Sequence, residues 1–437
     1  MKTRPISGFP EWLPEEELVQ QHFIDTIRRS FELHGFGPIR TRAMEPMDVL
    51  LSKGETDKEI YAVQRRAADA DASAARMGLH YDLTVPFARY VRERRGQLTF
   101  PFRRYQIQSA WRGERPQLGR YREFLQADAD VIGERSLGLR YDCEMLGLLA
   151  ITLDALPIPP AKLLLNNRKV LQGFYLGLGV DSVVDVLRCI DKIPKIGADK
   201  ARVELGTLGL SDAHADACLR LARLECDQVE GLDEVAALGV EHPLLTEGLD
   251  ELRAVLRHCL ALGTKTTPVA ALHIARGFDY YTGTVVEGVL VDHPDLGSIC
   301  SGGRYDQLAS EGGVDLPGVG VSIGVSRLMG FLAHLELLAP LSGEKKSPAD
   351  VLVVVHEEDD RPRSDHAAQR LRARGIRCLT ADKAQAYGKQ IKAATRLGIR
   401  YAWFPPAKGK GDAHEVKDLV SGEQQVAELD AWVPTEG

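Results

Sequence analysis

Between residues 15 and 34 the apolar positions Leu18, Phe23, Ile24, Ile27, Phe31 and Leu33 recur at helical spacing, with polar residues between them. That period predicts an amphipathic helix, which the glycines of "HGFG" would end. A short strand is expected over "PIRTRAM". The stretch "TVPFARYVRER" reads as a second helix, while "RYQIQSAWRG" and "EFLQADADVIG" alternate apolar and polar residues as two antiparallel strands joined by the loop "GERPQLGRYR". Residues 138–156 and much of 165–262 have helical spacing, with "NNRKVLQGFYLGLG" opening a segment rich in leucine, alanine and charge. A strand is expected over "ARGFDYYTGTVVEG", residues 275–288, and another over "GSICSGGRYD". A flexible "SEGGVDLPG" follows, and "VGVSIGVSRLMGFLAHL" runs from strand into apolar helix.

The stretch "SGEKKSP", residues 342–348, reads as a linker. Beyond it the order is strand "DVLVVVH", helix "SDHAAQRLRARG", strand "IRCLTA", helix "KAQAYGKQIKAATRLG" and strand "IRYAWF". This succession predicts a separate α/β domain with a parallel sheet and right-handed crossovers. Its acidic and basic residues balance at 14 each, so its charge does not reveal a ligand.

Composition narrows the function classes. With 437 residues, 44% of them hydrophobic, the chain suffices for two or three globular domains. No apolar run reaches the roughly 20 residues of a spanning helix, and "MKTRPISGFPEWLPEEELVQ" has no apolar stretch like that of a signal peptide, so the expected location is the cytoplasm. Seven scattered cysteines without a CxxC or a tight Cys/His cluster argue for reduced thiols, against a disulfide framework or a zinc site.

The net charge of −7 gives no hint of a nucleic-acid partner, yet ten arginines lie between Arg89 and Arg122 against only Glu93 and Glu114. Lysine is absent there. Arginine alone suits bidentate recognition of phosphate or carboxylate, the alternative being a solvated charged face. In "WRGERPQLGRYREF" the two strands place Arg112 and Phe124 so that cation and aromatic face one nucleotide. Arg112 suits an α-phosphate, Glu114 an exocyclic amine, and Phe124 offers a stacking plane; a structural arginine and a core phenylalanine are the competing account. The GxGxxxG spacing of "PGVGVSIG" begins a strand deep in the chain, not the first turn of a βαβ unit. Close backbone approach therefore explains it better than dinucleotide binding.

These segments together resemble a known family. "WRGERPQLGRYREF" is similar to motif 2 of the class II aminoacyl-tRNA synthetases, "GVGVSIGVSRLMGFL" to their motif 3, and "HGFGPIRTRAMEPMDVL" to a degraded motif 1. "ARGFDYYTGTVVEG", "HYDLTVPFARY" and "CSGGRYDQLA" resemble histidyl-tRNA synthetases, so the likeness covers nearly the whole chain.

The resemblance implies an α+β catalytic domain over 1–340, an antiparallel sheet flanked by helices with a helical insertion at about 170–265. It also implies a linker at 341–348 and an anticodon-binding α/β domain over 349–437. The expected reaction is ATP-dependent ligation of L-histidine to the 3′ end of histidine tRNA through histidyl-adenylate. Arg276 and Arg112 would grip the α-phosphate and substrate carboxylate, and Arg327 the adenine and outer phosphates, with Glu114 and Phe124 also binding ATP and Mg²⁺ sharing the charge. Asp82, Thr84 and Gln126 would surround the α-amino group, Tyr281 and Asp130 the imidazole, and Tyr280 would pack before it contacts. Arg115, Gln117 and Arg120 would approach the tRNA acceptor end. No protein metal ligand, zinc or organic prosthetic group is implied, no membrane partner is expected, and motif 1 implies a homodimer.

Three departures stand out: His80 and Arg42 replace an arginine and a motif 1 proline, and "WFPPAKGKGD" replaces a Gly-Glu turn. The rival reading is the regulatory subunit of ATP phosphoribosyltransferase, which shares the fold without charging tRNA. Such subunits generally lack the C-terminal anticodon domain and the intact "RG-DYYTG" signature, and this chain has both. A nonenzymatic RNA-binding relative would be expected to lose Arg112, Arg276 or Arg327.

Overall fold

The computed structural model describes residues 4–51, 57–64, 76–275, 280–343, 345–407, 409 and 411–435. Two compact units result, one of residues 1–10 and 23–334, the other of residues 11–22 and 335–437.

In the larger unit the strands are β1 Gly37–Pro38, β2 Met44–Pro46, β3 Ala62–Val63, β4 Met77–Leu79, β5 Phe102–Trp111, β6 Glu123–Ile132, β7 Ala161–Asn167, β8 Glu225–Cys226, β9 Thr267–Ala271, β10 Thr284–Leu290, β11 Cys300–Tyr305 and β12 Gly318–Gly324. Nine of them form one sheet in the order β1-β5-β6-β12-β11-β10-β7-β9-β8, and β2-β4-β3 form a small second sheet. Pairing in the large sheet is antiparallel except for β1 with β5 and β7 with β9. Helices Arg140–Asp154 and Val325–His334 pack on β6, and the small alternate residues Ala127, Ala129 and Val131 are wholly buried. The other set of β6 side chains, Gln126, Asp128 and Asp130, is polar and lies on the opposite face.

Helix Thr84–Arg94 matches its sequence pattern, and the paired strands β5 and β6 match theirs within two residues. Elsewhere the expectations need correction. "PIRTRAM" is not one strand: β1 ends at Pro38 and β2 starts at Met44, and the two belong to different sheets. "NNRKVLQGFYLGLG" does not open as helix, because Asn166 and Asn167 end β7 and the helix is Arg168–Gly177. Almost all of β7 is buried, so its leucines read as a continuous run in which strand and buried helix look alike. The strand expected from residue 275 begins at Thr284, opposite Asn167. Between β7 and β9 lie helices Arg168–Gly177, Val183–Asp191, Ile193–Ile196, Ala198–Thr207, Asp212–Ala222 and Pro243–Ala261, together with β8.

The second unit carries β13 Val351–Val353, β14 Cys378–Thr380, β15 Tyr401–Phe404, β16 His414–Asp418 and β17 Gln424–Ala427, ordered β14-β13-β15-β16-β17. The first three are parallel, joined through helices Arg361–Ala373 and Tyr387–Arg396 as the β-α-β-α-β pattern predicts. The antiparallel hairpin β16–β17 was not expected. β16 is mostly half-buried and β17 mostly exposed, so little hydrophobic pattern marks them.

Candidate functional site

The register of three strands builds the site. Arg104, Gln106 and Gln108 on β5 face Asp130, Asp128 and Gln126 on β6, which in turn face Gly320, Ser322 and Gly324 on β12. A period of two puts all of these positions on one sheet face.

At one end Arg104 is fully buried, with Nη2 2.6 Å from Asp130 Oδ2 and its guanidinium 4.1 Å from the Phe87 ring centroid. The contact with Asp130 is electrostatic, not aligned as a hydrogen bond. Asp130 Oδ1 accepts from the Tyr305 hydroxyl at 2.6 Å. A Cβ on Gly320 would lie 2.0 Å from that oxygen, so only glycine fits there. Burial raises the phenol pKa of Tyr305, with Asp130 adding to the shift, and it raises those of Tyr280 and Tyr281 too. All three thus remain neutral donors well beyond neutral pH.

At the other end Gln126 Nε2 donates to Ser322 Oγ at 3.0 Å, and Leu125 N–H donates to Ser326 Oγ at 2.8 Å. Between them Asp128 is 3% exposed, and burial pushes its carboxyl up to about 7. Arg104 opposes that shift and Asp130 adds to it. Asp128, Arg104 and Tyr305 were not among the expected site residues. The signal was present in "QADAD", where three polar residues at alternate positions of a strand share a face.

Thr84 opens helix Thr84–Arg94 and Asp82 lies just before it, where Asp82 Oδ1 accepts from Val85 N–H at 3.0 Å. The preceding residue supplies the Tyr81 carbonyl, which accepts from Arg112 Nε at 2.9 Å. His80 holds this segment down: it is fully buried, with Nδ1 3.1 Å from the Arg42 carbonyl and Nε2 2.7 Å from that of Ser109. Arg42 in turn donates to the buried carboxylate of Glu45 at 3.2 Å, which Arg89 also grips at 2.7 Å. Both departures are therefore built into local contacts.

Arg112 lies 5.0 Å from the Phe124 ring centroid. These two line a pocket with Glu114, Arg120, Gln126 and Arg327. Arg327, in the first turn of the helix after β12, lies 5.1 Å from the Phe331 ring centroid and donates to the Leu296 carbonyl at 3.0 Å. Arg115 and Gln117 are exposed on the loop, whereas Arg120 turns back toward Glu114, 3.8 Å away. Gly119 makes this turn possible with φ of +65° and a Cβ position only 2.5 Å from the Phe331 ring.

Tyr280 and Tyr281 precede β10, with ring centroids 4.5 Å apart. Tyr280 packs against the cluster of Phe87, Ala88, Val91 and Tyr305 and also lies near Asp82 and Arg112. Tyr281 lies in the segment before β10, which starts only at Thr284. Thr282 ties the segment down, its N–H donating to the Arg304 carbonyl at 2.9 Å and its hydroxyl to Asp306. Arg276 lies outside the described residues. Among the described residues no group of three or more His, Cys, Asp or Glu could hold a metal ion, and no helix is long and apolar enough to cross a membrane.

This arrangement can bind an anion and a planar base beside a buried, negatively charged recess. Comparison with known proteins identifies the family. The family model "Histidyl-tRNA synthetase" matches residues 8–328, and "Anticodon binding domain" matches residues 350–434. The histidine–tRNA ligase of Cutibacterium acnes is 48% identical over 446 residues, covering 99% of this chain and 97% of the relative. That of Thermobifida fusca is 48% identical over 435 residues, covering 99% and 98%. The crystal structure of histidyl-tRNA synthetase from Nostoc sp. PCC 7120 superposes with a TM-score of 0.87 at 34% identity, covering 98% of each chain. An ATP phosphoribosyltransferase regulatory subunit/histidyl-tRNA synthetase from Bacillus halodurans C shares the fold, with a TM-score of 0.73 at 19% identity over 90% and 97% of the two chains. With both family models in chain order and relatives near half identity from end to end, the chain belongs to the histidyl-tRNA synthetase family, the histidine–tRNA ligases of class II fold.

Proposed function

We propose that the chain activates L-histidine with ATP and transfers the histidyl group to the 3′ end of histidine tRNA by the following division of labour. The observation that carries this reading is the meeting of two half-sites on one sheet face. The Arg112–Phe124 pair with Arg327 suits a nucleotide, and the recess of Gln126, Asp130 and Tyr305 suits a small polar amino acid.

ATP lies with its base against Phe124 and its exocyclic amine toward Glu114. Arg112 and Arg327 face its phosphates. The histidine carboxylate oxygen attacks the α-phosphorus, the bond to the bridging oxygen breaks, and pyrophosphate leaves. Charge on the phosphoryl oxygens grows in the transition state, so fixed guanidinium groups stabilise it without reorganising. Arg112 is pre-set for this by its bond to the Tyr81 carbonyl. Arg276 is assigned the opposite side of the α-phosphate. Mg²⁺ bound with the nucleotide would share the charge on its phosphates.

Asp82, Thr84 and Gln126 receive the α-amino group, and Asp130 and Tyr281 the imidazole. A buried site that hydrogen-bonds both ring nitrogens rejects amino acids that leave its polar groups unpaired. Arg115, Gln117 and Arg120 meet the tRNA acceptor end, the insertion between β7 and β9 reaches toward that arm, and residues 349–437 bind the anticodon. The working form is a cytoplasmic homodimer.

The test is histidine-dependent ATP–pyrophosphate exchange, followed by charging of total tRNA. Exchange with histidine alone among the amino acids, followed by charging, is expected. Histidine binding without exchange would instead support a regulatory paralogue. Arg276→Ala should lower exchange by about 10²-fold while weakening histidine binding much less.

A further inference from the structure

Histidine activation as assigned to these residues leaves one buried carboxylate unused. Asp128 sits between Gln126 and Asp130 on β6, and its Oδ1 has no hydrogen-bond partner among the described residues. A buried carboxyl oxygen without a partner is unfavourable, and more so once ionised, so such a group in a binding recess points to a ligand that supplies a donor.

The groups around it say which ligand. From β5 it meets the Arg104 cation; from β6, Asp130; from β12, the Ser322 hydroxyl; and from the segment before helix Thr84–Arg94, Asp82. Tyr281, before β10, is close enough to Asp128, Asp130 and Asp82 to be shifted by all three. Among the described residues, three carboxylates thus share a recess with one buried guanidinium, and that guanidinium is already against Asp130. Among these groups no buried cation is paired with Asp128.

Resting on the histidine-activation reading, we propose that Asp128 is a further substrate-contacting residue, which with Asp82 pairs with the α-ammonium of the incoming amino acid. Binding then takes the form of an exchange. The protonated carboxyl of Asp128 loses its proton to solvent, and the substrate ammonium, keeping its own three protons, replaces it as the neutralising cation. Charge in the recess is unchanged and one proton leaves. The raised pKa of Asp128, about 7 without a ligand, makes the exchange partial near neutral pH.

The test is titration calorimetry on the full chain at pH 7 in phosphate and in Tris, whose different ionisation enthalpies report protons released. The probes are L-histidine and imidazole-propionate, which lacks the amine. Wild type should release more protons on binding histidine than Asp128→Asn does. The variant should bind histidine about tenfold or more weakly while its affinity for imidazole-propionate stays within about threefold. Equal proton release with little change in histidine affinity would overturn the proposal, as would equal weakening of both probes. Wild type that binds neither probe overturns the histidine reading itself. If the variant does not fold, the wild-type count decides: release beyond that from the imidazole's own titration supports the proposal, and none beyond it overturns it.

Discussion

Asp130 and Gly320 stand opposite each other on neighbouring antiparallel strands, and a carboxylate oxygen of Asp130 fills the space that a side chain at 320 would need. Gly320→Ala should therefore push Asp130 away from Arg104 and Tyr305. We expect a destabilisation of about 1–3 kcal/mol by overpacking, with a larger proportional loss in histidine affinity. Thermal melting and histidine titration on the same preparation check both.

Arg112 is held by its Nε bond to Tyr81 and by Phe124 beneath it. Lysine keeps the charge but has neither the planar fork nor the fixed direction. Arg112→Lys should lower histidine-dependent pyrophosphate exchange by about 10²-fold and leave histidine binding without ATP nearly unchanged. A loss confined to histidine binding would contradict its assignment to the phosphate.

The buried ion pair of Arg304 with Asp142 anchors β11 to helix Arg140–Asp154, and Arg304 also lies 3.4 Å from Asp306, the acceptor for Thr282. Asp142→Ala leaves that guanidinium without its main partner. A loss of about 3–5 kcal/mol in denaturant unfolding is expected. Loosening of the Tyr281 segment should weaken histidine binding as well.

Ligand-free stability should depend on Asp128. Its carboxyl titrates at about 7 in the folded chain against an ordinary 3.8, so the folded state holds this proton more tightly than the unfolded one. The contribution is fully present below the unfolded value and is lost as pH rises through about 7. An amide in its place would have no proton to lose. Asp128→Asn should thus raise the melting temperature at pH 8, by an amount that shrinks toward pH 5, reflecting a few kcal/mol at most.

Arg115 and Gln117 point outward on the loop that carries Arg112, away from the pocket that Arg120 lines. The pair Arg115→Ala and Gln117→Ala should reduce tRNA charging about tenfold and leave pyrophosphate exchange within about threefold. Charging by wild type should fall more steeply with added salt than charging by the variant, because one phosphate contact is gone.

Much of this was legible in the chain itself. The 3.6 period gave helix Thr84–Arg94, and alternation gave β5 and β6 to within two residues, because in each strand one face is polar and the other mostly apolar. Local order in the C-terminal segment likewise implied its three parallel strands. Arg112 and Phe124 suggested their chemistry by type and spacing, whereas Gln126 and Arg327 were reached through the family resemblance. What spacing could not supply was which strands lie side by side. Only the order β5-β6-β12 sets Arg104, Asp130 and Gly320 in one row, and only the loss of water there turns "QADAD" into two buried carboxylates in different surroundings. The leucine run of β7 stayed ambiguous for the same reason: a strand buried on both faces has no polar side to show its period. Residue type is a local property, whereas the energy of a charge depends on everything folded around it.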